Sequence, residues 1–115
     1  MGSGPSPSPS PWWRTPEAVA LLARVSRGLD EPLRLQLLAA LAASEQNVAT
    51  LARLIGRSQP QVSKHLAVLR ALGLVEYRRQ GNQRFYRFAA HDPAAQAVRT
   101  LLVELTRGVP GSDGG

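Results

Sequence analysis

Between Thr50 and Gly73 the sequence writes two short helices with only two or three residues to turn between them, and few folds accommodate that. Thr50 reads as the cap of a short helix, LARLI, that stops at Gly56. Ser58, followed by Gln59 and Pro60, opens the next helix, which ends before Gly73. Directly after it the apolar period changes from helical to alternating. LVEYRRQ, GN and QRFYRF read as two strands joined at Gly81-Asn82, with Val75 and Tyr77 set against Tyr86 and Phe88. Gly81 takes positive φ in that turn and Asn82 tolerates it.

The flanks read as helices too. Thr15-Pro16-Glu17 is an N-cap, a proline at the first helical position and an acid in the first turn, with Gly28 closing that helix. Asp30 is placed to cap a second helix through PLRLQLLAALAA, where Leu33, Leu37, Leu38 and Leu41 recur at helical spacing. Asp92-Pro93 starts a last helix with Ala94, Val98, Leu101, Leu102 and Leu105 along one face. The expected fold is mainly α with a small β-hairpin: four helices, of which the fourth is the recognition helix, then a two-stranded wing and a fifth helix. The domain is expected over residues 14–107. Residues 1–13, rich in Pro and Ser, and 108–115 are expected to be disordered tails. Trp12 and Trp13, at the edge of the domain, are expected to pack over the first helix.

Charge narrows the function. Fourteen Lys plus Arg stand against eight Asp plus Glu, a net +6. The stretch from Arg53 to Arg87 holds eight of those cations and one acid, Glu76, which reads as a surface facing a polyanion. A basic face kept for solubility would look the same by charge alone. The absence of Cys excludes disulfides, thiolate metal sites and cysteine nucleophiles, and two His residues make no zinc site without carboxylate help. No apolar run approaches the roughly 20 residues of a membrane span, and the start MGSGPSPSPSP lacks the basic and apolar regions of a secretory signal. A cytoplasmic location is the expectation.

The fourth helix carries most of the functional information. At 100° per residue Val62, Leu66 and Leu69 form a buried stripe, leaving Pro60, Gln61, Lys64 and Ala67 opposite. Small residues beside Gln and Lys suit a major groove, so Ser58, Gln59, Gln61, Ser63 and Lys64 are the candidate groove residues, Gln61 and Lys64 foremost as base readers. His65 lies at the edge of the buried stripe and is expected to be partly packed, hydrogen-bonding near the turn or to a phosphate. In the wing Arg78, Arg79, Asn82 and Arg84 are candidate DNA contacts, Arg79 and Arg84 above all because they flank the tip. A plain amphipathic helix and solvated arginines, some paired with Glu76, remain alternatives for each segment alone. Val19, Leu22 and Val25 on the first helix and Val98, Leu101, Leu102 and Leu105 on the last are the candidate dimer contacts, since a domain this thin cannot cover both stripes.

The run SQPQVSKHLAVLRALGLVEYRRQGNQRFYRF closely resembles the ArsR/SmtB family of bacterial winged-helix repressors, and DEPLRLQLLAAL is similar to that family's Asp-Pro-x-Arg segment. The resemblance spans roughly Leu29 to Phe88. It implies a homodimer built on the first and last helices that binds an imperfect inverted repeat in double-stranded DNA and represses until a signal releases it. The family's sensing residues do not carry over, so the chain is expected either to answer to a non-metal signal at a site outside the family's pattern or to leave sensing to another subunit. A gapless reading puts Asn47 and Ala49 at the Cys-x-Cys positions, and Ala90, Asp92, Val103 and Thr106 at the zinc-type positions of the last helix. His91, Asp92 and Glu104 are the remaining metal candidates, beside the simpler reading of an N-cap and solvated neighbours. The resemblance extends to an actinobacterial nickel-responsive pair in which a DNA-binding chain works with a separate corepressor, which would make nickel a signal without a site here. A winged-helix module docking a protein is the alternative from another class, disfavoured by the basic stretch and the Gln and Lys face. An enzyme is more distant still, because no Ser, His and Asp grouping suggests a triad.

Overall fold

The computed structural model describes residues 11–111; the tail expectations for 1–10 and 112–115 lie outside them. After a single 3-10 turn at Trp12–Arg14 come α1 (Pro16–Leu29), α2 (Pro32–Ala43), β1 (Gln46–Asn47), α3 (Val48–Ile55), α4 (Gln59–Ala71), β2 (Val75–Gln80), β3 (Gln83–Phe88) and α5 (Pro93–Thr106). No helix is long and apolar enough to cross a membrane among the described residues.

Helix α2 is apolar on nearly every side because it runs through the middle of the domain. Leu37, Leu38 and Leu41 are buried there against Leu51 and Ala52 of α3, Val62, Leu66 and Leu69 of α4, Tyr86 and Phe88 of the wing, and Ala95 and Val98 of α5. The stripe expected on α4 is therefore its core face. The hairpin also has the expected register, Val75 opposite Phe88 and Tyr77 opposite Tyr86. Gly81 turns it with φ +62°. Asn82 keeps negative φ, so positive φ falls on the first central residue alone, the type II′ pattern.

Several expectations need correction. The sheet has three strands, because Gln46 and Asn47 pair antiparallel with Tyr86 and Phe85 and cover the outer edge of β3. An edge strand left open would offer unpaired N–H and C=O groups to another chain. The cap of α3 is Asn47, whose side chain accepts from Thr50 N, so Thr50 sits inside the first turn. Asp30 ends α1 instead of capping α2; the cap position of α2 is Glu31, with no side-chain cap bond. Trp12 and Trp13, in the turn just ahead of α1, stay more than half exposed, with the Arg14 guanidinium over the Trp13 ring.

Gly28 is the correction with an energetic consequence. Helix α1 continues through it to Leu29, and Gly28 is buried. A Cβ there would lie 2.5 Å from Leu74 Cδ1 and 3.6 Å from Leu69 Cδ2. The glycine lets α1 approach a fully buried leucine, and its helical cost of roughly 1 kcal/mol is accepted for that contact. Gly28→Val is expected to destabilise the fold by roughly 1–3 kcal/mol through overpacking. In urea the midpoint should fall with the slope unchanged; an unchanged midpoint would mean α1 docks loosely.

Candidate nucleic-acid interface

Two helix ends shape the turn that presents α4. Gly56 closes α3 in the left-handed region, φ +76°, where both its own N–H and that of Arg57 reach the Ala52 carbonyl. Ser58 then starts α4 with a capping box: its hydroxyl accepts from Gln61 N at 3.3 Å and its N–H donates to Gln61 Oε1 at 3.2 Å. The sequence assigned both residues to the groove. The structure gives them a local task as well, which leaves Gln61 its side-chain N–H donors for a ligand. Gln59, Ser63 and Lys64 are exposed, and Lys64 has no ion-pair partner among the described residues.

His65 is half-buried as expected, and its Nδ1 lies 3.3 Å from Arg34 Nη1 of α2. Arg34 is in turn bonded to the Asp30 carboxylate and, at 2.9 Å, to the Arg27 carbonyl. Nothing in the residue pattern singled out Arg34, although it lies in the Asp-Pro-x-Arg-like segment already noted.

The wing is less uniformly basic than its sequence. Arg78 is paired with Glu45 at 2.6 Å and donates to Gln80 at 2.7 Å, and Arg87 pairs with Glu76 at 2.8 Å. Glu45 lies just ahead of β1, outside the basic stretch from Arg53 to Arg87. Its carboxylate reaches the wing because β1 pairs with β3. Arg84 lies over the Tyr77 ring at 4.6 Å, and Arg70 from α4 lies over the same ring at 4.7 Å, tying the end of α4 to the wing. Arg79 has no acidic partner among the described residues. It also stands directly opposite Arg84 in the ladder, where like charges oppose pairing until an anion joins them. Asn82 is exposed at the tip. Arg53, in the last turn of α3, and Arg57, in the turn before α4, are exposed and without ion pairs among the described residues and were not named individually from sequence. The charge run that contains them was the available signal.

The metal candidates are not assembled within the protomer. Asp92 caps α5 by accepting from Ala94 N at 3.1 Å and pairs with Arg24 of α1 at 3.4 Å, while Glu104 pairs with Arg107. Among the described residues no three His, Cys, Asp or Glu side chains converge, so His91, Asp92 and Glu104 form no metal site within the protomer. Of the dimer candidates, Val19, Leu22, Leu101 and Leu105 are exposed, whereas Val25 and Leu102 pack partly against the core. Val98 is corrected: at 2% exposed it belongs to the protomer's own core, because α5 turns it toward α2. Leu21 and Val103 are exposed apolar residues that sequence did not single out.

A capped recognition helix, the short turn before it and a hairpin after it define a winged helix-turn-helix DNA-binding transcriptional regulator. Residues 31–77 match the family model described as bacterial regulatory protein, arsR family. The chain is 42% identical over 102 residues to the HTH-type transcriptional regulator KmtR of Mycobacterium tuberculosis, covering 89% of this chain and 70% of that one. It superposes on the transcriptional repressor BigR of Xylella fastidiosa with a TM-score of 0.70 at 35% identity, covering 81% and 91% of the two chains. On the homodimeric winged helix-turn-helix DNA-binding domain of Mb0332 from Mycobacterium bovis the TM-score is 0.67 at 31% identity, covering 91% and 92%. The protein belongs to the ArsR family of bacterial regulators.

Proposed function

We propose that the protein is a cytoplasmic homodimeric repressor that binds an inverted repeat in duplex DNA. In this reading α4 enters the major groove with Ser58, Gln59, Gln61, Ser63 and Lys64, and the wing lays Arg79, Asn82 and Arg84 along the adjoining backbone or minor groove. The observation that carries it is the exposed face of α4, where Lys64, like the exposed Arg53, Arg57 and Arg79, has no ion-pair partner among the described residues. A module that docks an ordinary protein surface has no need of such a field. The homodimeric Mb0332 domain supports the dimer by analogy. Sensing falls to a separate corepressor subunit. The family's ligand positions here hold Asn47, Ala49, Ala90, Val103 and Thr106, which bring no thiolate, imidazole or carboxylate, and Asp92 is already engaged by α1 and its own helix.

Selection of bound fragments from a random duplex pool tests the reading. The protein should enrich an inverted repeat whose half-sites lie roughly 34 Å apart, about one helical turn. Lys64→Ala should return a weaker consensus, while Arg79→Gln should return the same consensus at lower affinity for every sequence. Enrichment of no common sequence would overturn the reading, and loss of consensus only in Arg79→Gln would reverse the roles of helix and wing.

A further inference from the structure

The contact between Arg34 and His65 joins three helices and decides which ring nitrogen of His65 can face a ligand. The Arg34 guanidinium carries hydrogen-bond donors only. Its Nη1 approaches His65 Nδ1 at 3.3 Å, which is favourable only when Nδ1 presents its lone pair. The ring proton is then on Nε2. Arg34 is itself immobilised: its side chain is 13% exposed, and it is held by the Asp30 carboxylate and by the Arg27 carbonyl at the end of α1. His65 follows Gln61 by one helical turn and is rotated from it by about 40°, which places it on the flank of the outward face of α4. Its Nε2 makes no hydrogen bond to any described residue.

We infer that Arg34 is a positioning residue for DNA binding: it holds His65 as the Nε2–H tautomer, so that α4 offers a neutral N–H donor to a phosphate oxygen at the groove edge. Backbone contacts of this kind set the register of a recognition helix without reading sequence. Without Arg34 the ring would divide between two tautomers and its orientation would loosen. The proposal rests on α4 being the DNA-facing helix.

A double-mutant cycle on the full-length protein, read by fluorescence anisotropy on the selected duplex, tests it. Arg34→Met keeps the apolar stem and removes the donors. It should weaken binding about tenfold in the natural background, the equivalent of one modest hydrogen bond from each protomer. His65→Gln supplies an amide N–H near the Nε2 position and has no tautomer to set. In that background Arg34→Met should change affinity by less than about twofold. Equal losses in both backgrounds would show that Arg34 acts through folding alone, and no loss in the natural background would equally sink the proposal.

Nitrogen-15 spectra of the histidine-labelled protein provide a readout independent of DNA and of the variants' stability. The His65 ring should show a protonated Nε2 and a bare Nδ1, and Arg34→Met should show both tautomers in exchange. A protonated Nδ1 in the natural protein overturns the assignment. Failure of the natural protein to bind any duplex would instead strike the proposed function, since the tautomer is measured without DNA.

Discussion

Replacing Leu101 by Glu is expected to turn a dimer into a monomer and to cut affinity for the inverted repeat by a hundredfold or more. Leu101 is 40% exposed and Leu105, one turn further along α5, is 68% exposed. On α1, Val19 and Leu22 are also open to solvent, with Trp12 and Trp13 beyond them. The two helices are clamped together in the protomer by Arg24 and Asp92. Covering a leucine contributes about 1.5–3 kcal/mol, and a two-fold interface counts every residue twice. A carboxylate placed there must lose its water without a partner, which costs several kcal/mol more. Because Leu101 is exposed in the protomer and lies outside its core cluster, the monomer should still fold. Each half-site would then be held alone, and the gain from linking two modules would disappear. Light scattering at micromolar concentration and a mobility-shift titration measure the two effects. A natural protein that is already monomeric, or a Leu101→Glu variant that shifts the duplex normally, would overturn the dimer.

The second large effect is that of salt. Arg53, Arg57, Lys64 and Arg79 have no acidic partners among the described residues, whereas Arg78 and Arg87 are neutralised by Glu45 and Glu76, and Arg70 and Arg84 lie over the Tyr77 ring. A dimer presents the first four twice. If each meets one phosphate, log affinity should fall with log salt at a slope of about −7, and a rise from 50 to 200 mM should cost on the order of 10⁴-fold. If Arg78 and Arg87 also left their acids for phosphates, the slope would steepen to about −11. The measured slope therefore tells whether the ion pairs at the wing base survive in the complex. Arg79→Gln should reduce it by about 2, one contact per protomer. A slope shallower than about −3 would mean that phosphates contribute little and that the basic surface serves another partner.

The fold was legible wherever one residue's chemistry sets a local event. Ser58 with Gln61 three residues on makes a capping box, Gly56 and Gly81 take the positive φ of a helix stop and a tight turn, and the switch from helical to alternating apolar spacing after Gly73 marks the wing. The candidate interface was legible to the same degree: the stripe of Val62, Leu66 and Leu69 turned Lys64 outward, and the basic stretch surrounded it. Three residues were misread because local chemistry allowed two answers. Thr50 and Asn47 both cap helices well, Asp30 suits a cap or an ion pair with Arg34, and Gly28 suits a helix stop or a close approach of two helices. Nothing within a few residues of each could choose between them.

The remaining features arise from contacts between segments far apart in the chain. Gln46 and Asn47 have no strand character of their own and become β1 only because β3 leaves an edge beside them. That pairing brings Glu45 to Arg78 and Arg87 and so lowers the effective charge of a wing that looked wholly cationic. Val98 shares helical spacing with Leu101 and Leu105, yet the packing of α5 on α2 buries the first and leaves the other two outside. Arg34 meets His65 across 31 residues of sequence. Caps, turns and periodicity depend on neighbours in the chain and can be read from it directly. Ion-pair partners, edge pairing and the side of a helix that finds the core depend on which distant surfaces meet, and that becomes known once the helices have packed.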